Sequence, residues 1–313
     1  MSKSVLVTGA AGFIASHLIE ALLGRGDQVI GIDNLRTGVL ENLEGVMDNT
    51  RFDFRKEDIC DGQFQELFDD EIDLIFHLAA ISSVKQSIEN PKLVNNVNVN
   101  GTINVLELAR RTDASRVMFS SSAAVYGNPE IIPIPESTPL QSLSPYAASK
   151  IAAEQYITAY SNSYNLNSTV LRLFNVFGPR QAYSEYSGVI SIFINRLVNG
   201  DVLEIEGDGK QTRSFVYVKD LVDALLKASK LETASNKVIN ISGREQISIL
   251  DIIDHLRVIS NRDFRTEHVS PRIGDVRDSL GSMELAESLL KFTPKVSFEE
   301  GLRETYEWHL SKT

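Results

Sequence analysis

The chain has little of what usually marks a special environment. Cysteine occurs once in 313 residues, at Cys60, so no internal disulfide can form. Such usage fits a reducing compartment, and with no histidine partner in view Cys60 reads as a packing residue. No run of about 18 or more apolar residues exists, so no membrane-spanning helix is expected. The opening segment MSKSVLVTGAAGF enters a strand pattern at once and lacks the layout of a secretory signal, so a cytoplasmic protein is expected. Positive charge is in deficit: 31 Lys and Arg against 42 Asp and Glu leave −11 at pH 7. That balance argues against broad binding to nucleic acid or anionic membranes. A few local arginines would still suffice for the phosphates of a small ligand. His17, His255, His268 and His309 lack metal-ligand spacing, and His77 lies within an apolar strand, so no metal site is expected. Neither an internal repeat nor a low-complexity segment is visible.

What is present is ordinary in bulk, 42% hydrophobic and 23% charged. The length allows a large core and two lobes. SVLVT (4–8) is a short apolar run ended by GAAG, and residues 11–24 carry apolar positions at helical spacing up to a glycine. QVIGID (28–33), RFDFRKED (51–58), DLIFHLAA (73–80), RVMFSSS (116–122) and STVLRLFNVFG (168–178) read as further strands. Between them GQFQELFDDE reads as a short helix, residues 91–112 as a helix, and 146–164 as a long alanine-rich helix. Strands alternating with helices, several of them apolar on both faces, predict an α/β fold with a doubly wound parallel sheet. Beyond about residue 178 the alternation stops; helical pieces at 188–199, 219–231 and 248–260 mix with short strands FVYV and KVINI. A smaller C-terminal lobe is expected there, giving domains 1–178 and 179–313, with some segments returning to the sheet.

TGAAGFIA (8–15) places Gly9 and Gly12 between strand and helix. Gly9 permits a tight turn, and Gly12 lets backbone approach a pyrophosphate at a helix N-terminus. A plain strand–turn–helix would show the same spacing. Asp33, about twenty residues on at the end of the second strand, supplies the carboxylate that would take ribose hydroxyls. A carboxylate there repels a 2′-phosphate, so NAD is favoured over NADP, with Arg36 acting in the opposite sense. Asp58 and Ile59 follow the third strand, where they would meet an adenine or simply face solvent.

SPYAASK (144–150) opens a helix with Ser144 as cap and Pro145 in its first turn. Tyr146 and Lys150 are four apart and so share a face. A phenol with a pKa of roughly 10 is a poor base at neutral pH unless a neighbouring ammonium favours its phenolate. Chance produces this spacing in many helices; the turn upstream and the serines at 120–122 make chance a weak explanation.

Taken together, TGAAGFIASH, DNLRTG, HLAA, NVNVNGT, SSSAAVYG, YAASK, LFNVFGPRQ and GDGKQTRSFVYVKD resemble the extended short-chain dehydrogenase/reductases. The likeness runs through nearly the whole chain and is greatest to the nucleoside-diphosphate-sugar 4-epimerases. It implies a Rossmann-type sheet with a smaller α/β substrate-binding lobe, and Ser122, Tyr146 and Lys150 as the catalytic set. Bound NAD is implied at Gly9, Gly12, Phe13 and Ile14 around the turn, and at Asp33, Asn34, Asp58 and Ile59 at the adenosine end. Further contacts are implied from Leu78, Ala79 and Ala80, from Asn98, and from Ser120, Tyr146 and Lys150. Asn98 would support the catalytic site; otherwise it is a helix-packing amide.

The dehydratases of the resembling group place Asp-Glu after the catalytic hydroxyl, and UDP-glucuronate decarboxylases carry a glutamate in the same segment. Here the positions are Ala123 and Ala124, and a methyl transfers no proton. The resemblance therefore implies an isomerase: C4 epimerisation of a UDP-hexose with NAD retained. A nucleotide-sugar 4-ketoreductase, a UDP-glucuronate 4-epimerase and a non-catalytic NAD-binding sensor are the alternatives. Ser122 and Tyr146 would also meet substrate, with Asn175, Arg213 and Arg272 on its diphosphate, Asp275 on the ribose and Val189 against the base. Ser214 departs from the acid usual after that arginine, and Arg180 reads as structural. Ser279 stands where glucose-restricted epimerases often carry tyrosine, which leaves room for an N-acetyl group. A homodimer through a four-helix bundle of 91–112 and 146–164 is also implied.

Overall fold

The computed structural model describes residues 3–68, 71–181, 188–270 and 277–312. Six strands arise from the first half: β1 (Ser4–Thr8), β2 (Gln28–Ile32), β3 (Phe52–Arg55), β4 (Leu74–His77), β5 (Arg116–Ser122) and β6 (Ser168–Leu173). Between them lie α1 (Phe13–Gly24), α2 (Val84–Glu89), α3 (Pro91–Asn95), α4 (Gly101–Arg111) and α5 (Pro145–Tyr164). The second half adds β7 (Asn175–Phe177), β8 (Leu203–Glu206), β9 (Thr212–Arg213), β10 (Phe215–Tyr217), β11 (Lys237–Ile241), β12 (Ile247–Ser248), β13 (Thr266–Val269) and β14 (Asp278–Ser279). Its helices are α6 (Val189–Asn199), α7 (Val218–Ala228), α8 (Ile249–Ser260), α9 (Glu284–Leu290) and α10 (Phe298–Lys312).

The main sheet has seven parallel strands in the order β11-β6-β5-β4-β1-β2-β3. Alternation along the strands sends side chains into two cores. Val5, Val7, Phe76, Met118 and Leu171 meet Leu18 and Leu22 of α1 and Leu221 and Leu225 of α7. Leu6, Ile75, Val117, Phe119 and Val170 meet Val105 and Leu106 of α4 and Ala153 and Ile157 of α5. Both faces are thus covered, which explains the continuously apolar strands. Strand order reverses between β1 and β4, and the carboxyl ends of strands at such a reversal leave a crevice for a ligand.

Two expectations need correction. Residues 168–178 form two strands: β6 ends at Leu173, and β7 leaves the main sheet to pair with β10. The seventh strand of the main sheet, β11, comes from beyond residue 178 and pairs with β6. The helical stretch 91–111 is interrupted at Asn96–Asn100 by a π-helical turn. The helices α2, α9 and α10 had no counterpart in the sequence reading, α2 because six residues are too few to show a period. Phe177, Phe193, Tyr217, Leu256, Phe298 and Leu302 pack into a third core, and β12-β9-β14 form a small separate sheet.

Candidate active site

The crevice is built from its glycines. Gly9 has φ 74°, and a Cβ on it would lie 2.9 Å from the backbone N and Cα of Ala79. Side chains rarely adopt that conformation, and the space is taken by the β4 loop, so only glycine fits. A Cβ on Gly12 would meet the Gly9 carbonyl at 2.9 Å. Gly12 caps α1 in an extended conformation with no side-chain hydrogen bond, and the first turn holds no acidic residue. The amides of Phe13 and Ile14 are thereby left for an anion at the positive end of the helix.

The β1 and β4 ends are tied by a directional chain of hydrogen bonds. The Ala79 amide donates to Thr8 Oγ1 (3.2 Å), which donates to His77 Nδ1 (2.8 Å). On the other side Thr102 donates to the Asn98 carbonyl (2.7 Å) and so accepts from His77 Nε2 (2.9 Å). Burial, helped by the charge of Lys150, pushes the His77 pKa down to about 3, so the ring is neutral with its proton on Nε2, and Nδ1 accepts from Thr8. Asn98, in the π-helical turn, accepts from the Ile81 amide (2.8 Å) and donates to the Ile81 carbonyl (3.0 Å) and to Ser149 Oγ (2.9 Å). These bonds brace the segment that follows β4 against α5 and do not involve the Tyr146 or Lys150 side chains. A π-helical turn admits one extra residue, and such turns recur at functional sites.

At the far end, Asp33 accepts from the amides of Ala11 (3.0 Å) and Leu35 (2.7 Å); burial still raises its pKa. Asn34 donates to Asp58 (2.9 Å), which also accepts from the Cys60 amide (2.9 Å). Burial opposes ionisation of Asp58, yet these bonds prevail and hold its pKa below the usual carboxylate range. The Ile59 side chain is buried in the core beside Gly101, which leaves only its backbone for a ligand. Cys60, its thiol pushed up to about 12 by burial and by Asp58, is unreactive at neutral pH.

At the reacting end Ser144 caps α5 by accepting from the Ala147 amide (3.1 Å), with Pro145 as first helical residue. Tyr146 is buried, and desolvation raises its pKa while a hydrogen bond to Ser122 works the other way. Lys150 donates to the Ser120 carbonyl (2.8 Å) and lies 4.7 Å over the Phe119 ring; burial brings its pKa down to about 8. The Ser120 hydroxyl is buried without a partner among the described residues. An orphaned hydroxyl at this edge and a glycine cradle that no Cβ could enter both fit a dinucleotide crossing from α1 to α5.

Two of the substrate candidates lie on the small sheet. Arg213 on β9 and Ser279 on β14 are cross-strand partners. Arg213 donates to the carbonyls of Thr212 (2.8 Å) and Arg277 (3.1 Å). Asn175, on β7, donates to the Ser214 carbonyl (2.9 Å) and sits opposite Phe215. Ser214 is fully buried and bonds Ser242 (2.6 Å), so this position serves packing instead of pairing a charge. Val189 opens α6, half-buried against the third core. Arg180 pairs with Glu20 of α1, a structural role. Arg272 and Asp275 lie outside the described residues.

Sequence reasoning missed the polar side chains behind these: Glu154, Arg172, Tyr126 and Asn240, all buried and mutually hydrogen-bonded. Only the spacing of Glu154, four after Lys150 on one helix face, was there to find.

Residues 5–242 match the model of the NAD dependent epimerase/dehydratase family. The chain belongs to this family. The UDP-glucose 4-epimerase of Mycolicibacterium smegmatis is 37% identical over 310 residues, covering 98% of this chain and 99% of the relative. The solved UDP-N-acetylglucosamine 4-epimerase of Methanobrevibacter ruminantium, in complex with UDP-N-acetylmuramic acid, superposes with a TM-score of 0.95 at 36% identity, covering 100% of this chain and 99% of that one. The UDP-glucuronic acid 4-epimerase of Bacillus cereus, in complex with UDP-glucuronic acid and NAD, gives 0.93 at 32%, covering 99% of this chain and 100% of that one. These family members span the chain end to end, small sheet included.

Proposed function

We propose that this chain is an NAD-dependent UDP-sugar 4-epimerase that inverts C4 of a UDP-hexose through a transient 4-keto sugar. The observation that carries the reading is the end of β5. Ser122 is hydrogen-bonded to Tyr146, and the next two residues, Ala123 and Ala124, hold no acid. Ser122 positions the C4 oxygen, and Tyr146 takes its proton at Oη and later gives it back. Burial makes the phenolate costly, so the Lys150 ammonium, directed by the Ser120 carbonyl, is needed to favour it. Held by the Gly9–Gly12 turn, the free end of α1 and Asp33, bound NAD would supply reversible hydride chemistry at C4, with return to the opposite face of the ketone giving inversion. With no carboxylate at 123 or 124 there is no group in that segment to move protons at C5 or to assist loss of a carboxyl.

The test is direct. Purified protein should interconvert UDP-glucose and UDP-galactose with no net NADH. Release of a 4-keto-6-deoxy sugar or of carbon dioxide from nucleotide sugars would overturn the reading. Tyr146→Phe should lower kcat by about a thousandfold with bound NAD unchanged; full activity in that variant removes Tyr146 as the base.

Within this reading Arg213, Asn175, Arg272, Asp275 and Val189 take the UDP moiety. Ser279, half-buried beside Arg213, leaves space at the sugar C2 substituent, so N-acetylated hexoses are substrates as well. The C6 group is not restricted by any residue singled out, which keeps UDP-glucuronate as a second candidate. The working form is a homodimer through 91–111 and α5, in the cytoplasm, where a lone cysteine and a nucleotide cofactor belong.

A further inference from the structure

We propose that Glu154 and Ser121 are positioning residues: clamped by Arg172, Glu154 anchors Ser121 and through it the strand segment holding Lys150 and Tyr146. The inference rests on the epimerase reading for the reaction it serves. Its geometry is independent of that reading. Phe119 and Ser121 share the β5 face covered by α5, because side chains alternate along a strand; Lys150 lies over the first and Glu154 meets the second. Ser121 and Arg172 are cross-strand partners on β5 and β6. Glu154 reaches between them, accepting from the Ser121 hydroxyl and from Arg172 Nε (3.1 Å) and Nη2 (2.7 Å). The remaining Arg172 nitrogen donates to Tyr126 Oη (3.0 Å) and the Glu136 carbonyl (3.1 Å). Glu154 and Arg172 are each 5% exposed or less, so this is a buried pair with its donors satisfied.

The anchored residue is the middle one of three. Its predecessor gives Lys150 a carbonyl, and its successor gives Tyr146 a hydroxyl. A shift of Ser121 therefore displaces both partners of the catalytic pair at once. Glu154 adds charge to this placement. It stands one helical turn beyond Lys150 and is the anion acting on the buried ammonium. The other groups near Lys150 are His77 of β4, which is neutral, Tyr146 on its own helix, and Arg172 of β6, whose charge Glu154 already matches.

The test uses Glu154→Gln, which keeps an acceptor but removes the charge, and Ser121→Ala, which keeps the ion pair but removes the anchor. In the NAD-loaded protein kcat should fall about tenfold or more in the first and about threefold to tenfold in the second. KM for the UDP-sugar and NAD per chain should stay within about twofold. Without substrate, the ultraviolet phenolate titration of Tyr146, taken as the difference from each chain's Tyr146→Phe counterpart, should shift in Glu154→Gln, because the charge balance among Glu154, Arg172 and Lys150 behind it changes. Wild-type kcat and an unmoved phenolate midpoint, with only thermal stability reduced, overturn the proposal. Should Glu154→Gln not fold, wild-type kcat in Ser121→Ala overturns it alone. A wild-type chain without epimerase activity but with the phenolate shift refutes the functional reading and upholds the positioning one.

Discussion

His77 shows how much a single side chain can be constrained by the direction of its hydrogen bonds. Thr8 donates to Nδ1 and Thr102 takes the proton of Nε2, so a second ring proton could be accepted only by the Thr8 hydroxyl, which would have to turn its own proton away. Protonation would therefore reverse one link of the strut that joins the glycine turn to the Asn98 brace and place a charge on a buried ring. The sign follows. The folded pKa lies at about 3, below the ordinary 6.5, so between these values the unfolded chain binds a proton that the folded chain refuses. The stability tied to His77 is thus complete above about pH 6.5 and is lost as pH falls, at about 1.4 kcal/mol per unit. Urea unfolding at pH 7.5 and 5.0 should show about 2 kcal/mol more loss in the wild type than in His77→Gln. Carboxylates common to both chains cancel in that difference. An identical pH dependence in the two proteins would dismiss the neutral strut.

Between elements, register decides what a residue can meet. β14 lies parallel to β9 and puts Ser279 level with Arg213. Its neighbour Leu280 accepts from the Ile134 amide (2.8 Å), and the Ile134 carbonyl takes the Asn240 side chain (2.9 Å) from the end of β11. A bulky side chain at 279 has this bonded strand behind it and cannot back away from substrate. Ser279→Tyr should reduce kcat/KM for UDP-N-acetylglucosamine by about tenfold or more while UDP-glucose stays within about threefold. Equal losses on both would place Ser279 away from the C2 group. The same register explains what could be read from sequence. Glycine spacing, the Ser144–Pro145 helix start and the Tyr146–Lys150 interval are local, so the turn and the pair proposed as catalytic can be picked out from sequence. The Glu154–Ser121–Arg172 cluster was not, because nothing local states that 121 stands beside 172. The break between β6 and β7 was hidden by an apolar run that continues through Phe174, whose amide bonds Ile241 (2.9 Å) as the chain changes sheet. Asn96–Asn100 looked like ordinary helix because one extra residue in a turn barely disturbs the period.

For the molecule as a whole, α5 is the element that would join the proposed chemistry to the proposed assembly. Its inner side buries Tyr146, Lys150, Ala153, Glu154 and Ile157 against the sheet. Its outer side exposes Ala148, Gln155, Tyr156 and Ala159, with Ala152 half-buried between them. The stretch 91–111 packs alongside and turns Asn96 and Asn100 outward, with Ile103 half-buried. Small side chains let helices approach closely, and Tyr156, 42% exposed, supplies a large surface with a polar tip. Two such faces meeting about a twofold axis would form the four-helix bundle proposed above, provided they bury on the order of 1,200–2,000 Å². A carboxylate at the centre of that contact would face its own copy across the axis, buried and unpaired, while leaving the inner side of α5 untouched. Ala152→Glu should therefore elute as a monomer in light-scattering chromatography at concentrations where the wild type is a dimer. Its isolated chains should still bind NAD, since the glycine turn and the β4 loop lie on the far side of the helix from the substitution. A wild-type monomer would reject the bundle, and a dimeric Ala152→Glu would move the contact to another face.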